Sequence, residues 1–143
     1  MKIRIGLACL VLGASASALA ETPPAYLFVN QSPTTLVDDA TAKTLFDEIV
    51  SQRLAKLYPT RNWGFATVIQ GGFTPDKACV VAASIIMLPR NRPNSTQLML
   101  FKPKRMATTF GVLPSATAVQ CADLAKSKLR EADQAMLSAL IPS

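Results

Sequence analysis

Apolar and polar positions follow a helical period in two stretches of the chain. Residues 39–58 carry apolar side chains three and four positions apart, which form one stripe on a helix, and Pro59 ends the pattern. The C-terminal stretch has the same period and starts with Thr117 and, three residues later, Gln120, the spacing of a capping box. The sequence therefore predicts helices over 39–58 and 117–141.

Shorter apolar runs have the lengths typical of β-strands. Those runs are residues 26–29, 65–70, 77–88, 97–101 and 105–112. The first is expected to be a short strand or extended arm, and the last a weak edge strand. Gly71 and Gly72 separate the second and third runs and predict a reversal between them. The 77–88 run is apolar at nearly every position, which predicts either that both its faces are covered or that it lies centrally in the sheet.

The order of these elements predicts the fold class. Strands grouped between two helices are typical of an α+β domain in which the helices cover a sheet. We expect an antiparallel sheet of three to four strands with an N-terminal and a C-terminal helix packed on it, and one disulfide.

Residues 1–20 have the pattern of a secretory signal peptide. Lys2 and Arg4 precede an apolar run, and small residues lead to an A-x-A cleavage site at Ala20. A membrane anchor is the alternative, but the run is shorter than the roughly 20 residues that a spanning helix needs. We expect cleavage near Ala20, a single small domain over 21–143, and a location in the periplasm or outside the cell, with no transmembrane segment in the mature chain.

Cysteine usage agrees with export. Cys9 belongs to the predicted signal peptide, which leaves Cys79 and Cys121. Two thiols in one small exported domain are most simply a disulfide. A metal pair or a reactive thiol are the alternatives, but the chain has no histidine to complete a metal site, and the spacing is not CxxC.

The absence of histidine from the sequence also restricts catalysis. It excludes Ser-His-Asp triads, Cys-His dyads, HExxH zinc sites and imidazole proton transfer. No Ser-x-x-Lys motif is present, and most carboxylates fall at helix starts or on polar helix faces. We therefore expect a protein that is not an enzyme and that uses neither a cofactor nor a metal.

Charge is distributed unevenly along the chain. The net charge is +6, and loss of Lys2 and Arg4 with the signal peptide lowers it to +4. Residues 77–122 contain six basic side chains and no acid. Five of these flank the run at 97–101: Arg90, Arg92, Lys102, Lys104 and Arg105. If that run is a strand, about 17 Å separates the two groups, which places them at opposite ends of the sheet.

Two interpretations of these basic groups remain open. They bind an anionic partner, such as an acidic protein surface, lipid headgroups or a wall polymer, or they protect exposed hairpins from pairing with other chains. Arg61 and Trp63, in the connection between helix and sheet, present the same choice between an interface anchor and a cap on the core.

These observations favour an exported, non-catalytic binding protein that engages another envelope or effector protein through its surface, such as an inhibitor, immunity or assembly-accessory protein. The candidate binding residues are Arg90, Arg92, Lys102, Lys104, Arg105, Arg61 and Trp63. The alternative is a small-ligand or lipid-binding module with a cavity between helices and sheet. Nucleic acid is disfavoured as a partner, because the basic loops lack interleaved aromatic residues. The oligomeric state stays open.

Overall fold

The computed structural model describes residues 22–143, so the predicted signal peptide and its cleavage site lie outside the described residues. The described part of the chain folds into four strands and three helices. They are β1 (Leu27–Asn30), α1 (Asp39–Asp47), α2 (Gln52–Leu57), β2 (Trp63–Phe73), β3 (Cys79–Pro89), β4 (Arg105–Leu113) and α3 (Ala118–Leu140).

The four strands form one sheet in the order β1-β2-β3-β4. Strands β2, β3 and β4 are antiparallel neighbours, whereas β1 runs parallel to β2, with Phe28 opposite Phe65. The α+β class is confirmed, but the expectation of a purely antiparallel sheet is wrong. The physical reason is that α1 and α2 lie between β1 and β2 in sequence, and a helical crossover returns the chain to the same end of the sheet.

The N-terminal helical stretch is interrupted, and the prediction of one helix over 39–58 is wrong in this respect. Helix α1 ends at Asp47, and Ser51 begins α2 by accepting a hydrogen bond at Oγ from the Leu54 amide at 3.1 Å. A serine side chain competes for backbone groups and is favoured at such a start. The apolar period continues through the break because both helices contribute to the same core, through Phe46 and Leu54.

The reversal between β2 and β3 also differs from the prediction. Gly71 and Gly72 lie inside β2, with φ of 134° and 151°. A Cβ at Gly71 would lie 1.9 Å from the Val80 carbonyl oxygen, so this position requires glycine. The chain turns at Thr74–Ala78 instead, where the Thr74 amide donates to the Ala78 carbonyl at 2.8 Å.

The predicted strand at 97–101 is absent, and that prediction is wrong. Residues 90–104 form a loop with one isolated bridge inside it, between Arg90 and Leu98, and backbone hydrogen bonds tie the loop to the sheet, as from the Met99 amide to the Pro89 carbonyl at 2.9 Å. The edge of β3 is already occupied by β4, which pairs with it from Met87–Arg105 to Cys79–Leu113. The stretch expected to be a weak edge strand is therefore a full one.

The core lies between the sheet and the helices. One cluster surrounds the disulfide, and a second contains Phe46, Phe65 and Met136. The predicted disulfide is confirmed: Cys79 at the start of β3 is bonded to Cys121 in the first turn of α3, with the Cα atoms 5.5 Å apart. The predicted capping box is also confirmed, with reciprocal bonds between Thr117 and Gln120.

The helices pack on one face of the sheet and leave the other face apolar. Odd-numbered positions of β2 and β3, such as Phe65 and Ile85, are buried in the helix-packed clusters, whereas even-numbered positions of β3 and β4 lie on the opposite side. On that side Met106, Phe110 and Val112 are 57%, 73% and 62% exposed. We call this the open face. Of the described helices, none has the length and apolar character needed to cross a bilayer.

Candidate binding surface

The loop at residues 90–104 brings the candidate residues to one end of the sheet. The Arg90 amide donates to the Asn62 carbonyl at the start of β2, and the Lys104 amide donates to the Met87 carbonyl near the end of β3, both at 2.8 Å. The chain thus leaves and re-enters the sheet at the same end. The expectation that the two basic groups lie at opposite ends is wrong, because it depended on a strand at 97–101. We call this region the basic end.

Two of the candidate residues help to build the basic end. The Arg90 guanidinium donates to the Ser95 carbonyl at 3.0 Å and to the Trp63 carbonyl at 3.5 Å, and its side chain is half-buried. Trp63 is also half-buried and packs edge-on against Tyr58, with ring centroids 6.2 Å apart. These side chains therefore hold the loop and close the adjoining core.

The other five candidates are exposed and free of ion pairs among the described residues. They are Arg61, Arg92, Lys102, Lys104 and Arg105. The salt bridges of the described chain lie on α1 and α3, where Arg130 is paired with Glu48 at 3.2 Å. With no acidic residue between 77 and 122, the basic end concentrates positive potential that an anionic surface would neutralise.

Exposed apolar side chains accompany these charges. Leu100 and Phe101 are 58% and 76% exposed, and Lys102 Nζ lies 6.0 Å from the centre of the Phe101 ring. Because the sequence predicts a strand at 97–101, it does not indicate that these two side chains are exposed on a loop. A run of apolar residues between proline-containing, basic segments is the signal that could have indicated an exposed loop. Aromatic side chains beside positive charge are common at protein interfaces.

Helix α2 adds two basic residues near this end that the sequence analysis also missed. Arg53 and Lys56 are exposed, and Arg53 donates to the Pro142 carbonyl at 2.7 Å. The contact of Tyr58 with Trp63 places the end of α2 beside the start of β2. The charge pattern alone does not show that these two residues lie near the loop at 90–104.

Asp133 on α3 is the acid of the described chain whose pKa departs most from its ordinary value. It is 1% exposed, and neither carboxylate oxygen has a hydrogen-bond partner within the described structure. Burial and, to a smaller extent, the Glu48 carboxylate raise its pKa to about 7, and Arg130 opposes the shift. Within residues 22–143 there is no cluster of three or more potential metal ligands.

Clefts occur at the margins of the helix layer. One of 350 Å³ is lined by Phe28, Asn30 and Lys43 beside β1. A second, of 160 Å³, lies between the glycine bend of β2 and the start of α3 and includes Leu36. Between these margins, the two apolar clusters lie between the helices and the sheet.

Comparison with known proteins identifies no family. No family model matches the chain, and no curated protein matches it. Among solved structures, the chain is similar to a PelC dodecamer from Paraburkholderia phytofirmans, with 12% identity over 78% of this chain and 92% of that chain, and a TM-score of 0.36. A likeness at this level assigns neither a fold family nor a function to the chain.

Proposed function

We propose that this chain is an exported, non-catalytic protein that binds an acidic surface of another envelope or effector protein through its basic end. The observation that carries the proposal is the convergence of exposed Arg61, Arg92, Lys102, Lys104 and Arg105 on one end of the sheet, beside exposed Phe101. Exposing an aromatic ring to water is unfavourable. The exposed ring of Phe101 therefore favours a binding surface over a loop that is only solvated.

Arg90 and Trp63 have a supporting role in this proposal. Their contacts fix the loop that presents the exposed charges, so the binding surface is formed before a partner arrives. A preformed surface loses less conformational entropy on binding than a mobile one. The charges themselves accelerate association and favour acidic partners over basic ones.

Paired charge reversals test the proposal. We expect K102E/K104E to weaken recovery of the partner from the envelope fraction at least about ten-fold, because two favourable interactions become repulsive. K77E/K126E is the matched control, since it makes the same change in net charge at positions outside the basic end. Binding of the wild-type chain should also weaken as salt is raised. Equal losses for the two double variants, or no loss for either, would contradict the assignment of the basic end.

A further inference from the structure

Strand β4 is an unprotected edge of the sheet. It pairs with β3 at nine successive positions without a bulge, and no described strand occupies its other side. Natural edges are usually short, or interrupted by proline, charge or a bulge. Residues 105–113 contain no proline, and their one charge is the terminal Arg105. At the opposite edge of the sheet, β1 has only four residues.

We propose that a second copy of this chain pairs its β4 with this edge, antiparallel, around a two-fold axis at Thr109. Thr109 is the middle residue of β4, so all nine residues take part in the new ladder. On the open face, Met106 then lies opposite Val112 of the second copy, and Thr108 lies opposite Phe110 of the second copy. The strand is therefore complementary to itself, as a two-fold interface requires.

The charges at the ends of β4 favour this direction of pairing. With the axis at Thr109, Arg105 of each copy lies opposite Leu113 of the other, and the two Arg105 residues are about 27 Å apart. Lys102 and Lys104, which precede the strand, then also lie at opposite ends of the joined sheet. A parallel arrangement would bring these positive groups together.

The helix layer fits the same arrangement. Helix α3 spans the last two strands, because Cys121 is bonded to Cys79 of β3 and the Lys128 carbonyl accepts a hydrogen bond from Thr109 Oγ1 of β4 at 2.6 Å. A helix centred over two strands lies about 5 Å from an axis at the new strand boundary, since strands are about 4.8 Å apart. The two copies of α3 would be about 10 Å apart, within reach of ordinary helix packing.

The side of α3 next to the edge is complementary to its own copy in charge. Lys128 lies across the inner side of β4, with Cε 2.8 Å from where a Cβ on Gly111 would lie, and its Nζ is 3.0 Å from Glu131. Because the axis passes beside Lys128 and reverses the helix direction, the Lys128–Glu131 pairs of the two copies meet there, as a cluster of two positive and two negative charges. This interface uses the strand edge and α3, so it is independent of the function proposed for the basic end.

The first test is the mass and dissociation constant of chain purified from the periplasm of an expression host. We expect a dimer by light scattering and sedimentation. E131K should raise the dissociation constant about ten-fold, because four positive charges then meet at the axis. The charge swap K128E/E131K should restore it, and D123K, which breaks the Lys126–Asp123 pair elsewhere on α3, should leave it within about two-fold. A monomer at all concentrations, or a dimer equally sensitive to D123K and E131K, would overturn the proposal.

The second test is the register of the paired strands. Oxidation should cross-link the T108C/F110C variant into a covalent dimer, because the two positions face each other across the axis. T108C/V112C should stay uncross-linked, since each of its cysteines faces a different residue. Preferential cross-linking of T108C/V112C would place the axis elsewhere, and absence of cross-linking in both variants would overturn β4 pairing.

Discussion

At the scale of single residues, the burial of Asp133 opposes the usual preference of carboxylates for water. Its oxygens are buried without partners among the described residues, and its pKa of about 7 lies above the ordinary 3.8. The sequence does not indicate this burial, because a charged aspartate is expected on the polar face of α3. Its position one residue after Ala132 places it at the margin of the buried stripe, where packing against α1 decides its exposure.

A pH dependence of stability follows from Asp133. Between about pH 4 and pH 7 the folded chain holds a proton that the unfolded chain has released, so the free energy of unfolding falls as pH rises through this window and is level above it. The fall is at most about 4 kcal/mol. D133N should abolish it and stabilise the chain at about pH 8. Urea unfolding at about pH 5 and pH 8 measures this, with D123N as the exposed control; an unchanged slope in D133N would contradict the assignment.

At the scale of elements, the sequence predicts correctly the features that depend on a few residues. The capping box at Thr117 and the pairing of Cys79 with Cys121 were both correct. The errors concern competition between segments: residues 97–101 have strand-like composition, but β4 occupies the edge of β3 that they would need. The basic end is a second example. Its residues can be selected from the sequence one by one, but they come together only because residues 90–104 form a loop and not a strand.

The disulfide should contribute strongly to the stability of this arrangement. It closes a loop spanning a sequence separation of 42 residues, for which chain entropy gives about 4 kcal/mol. That is a large share of the roughly 5–15 kcal/mol typical of small domains. C79A/C121A should therefore lower the urea midpoint markedly, and reduction of the wild-type chain should reproduce the loss while leaving the double variant unaffected. A free energy of unfolding within about 0.5 kcal/mol of the wild type would show that α3 docks without the bond.

At the scale of the whole molecule, the described residues form one layer of helices on one sheet. No helix or strand among them covers the open face, although Leu98 of the 90–104 loop lies over Gly64 at one end of that side. A sheet that is buried on one side normally carries polar residues on the other. Here Ser84 and Thr108 form one hydrogen bond, at 2.8 Å, among mostly apolar neighbours. Joining two copies at β4 would extend the open face without covering it, so the apolar surface and the free edge are separate features of the same architecture.

The difference in burial between the two faces of the sheet can be measured at two neighbouring residues of β3. Ile85 is fully buried under the helices, and its neighbour Ile86 points to the open face, where it is half-buried. I85A should cost about 3 kcal/mol of unfolding free energy, because it leaves a cavity, whereas I86A should cost about 1 kcal/mol or less. The two variants remove the same atoms from adjacent positions, so β-propensity cancels between them. Equal costs in urea unfolding would mean that Ile86 is as well packed as Ile85. That result would contradict an open face exposed to solvent.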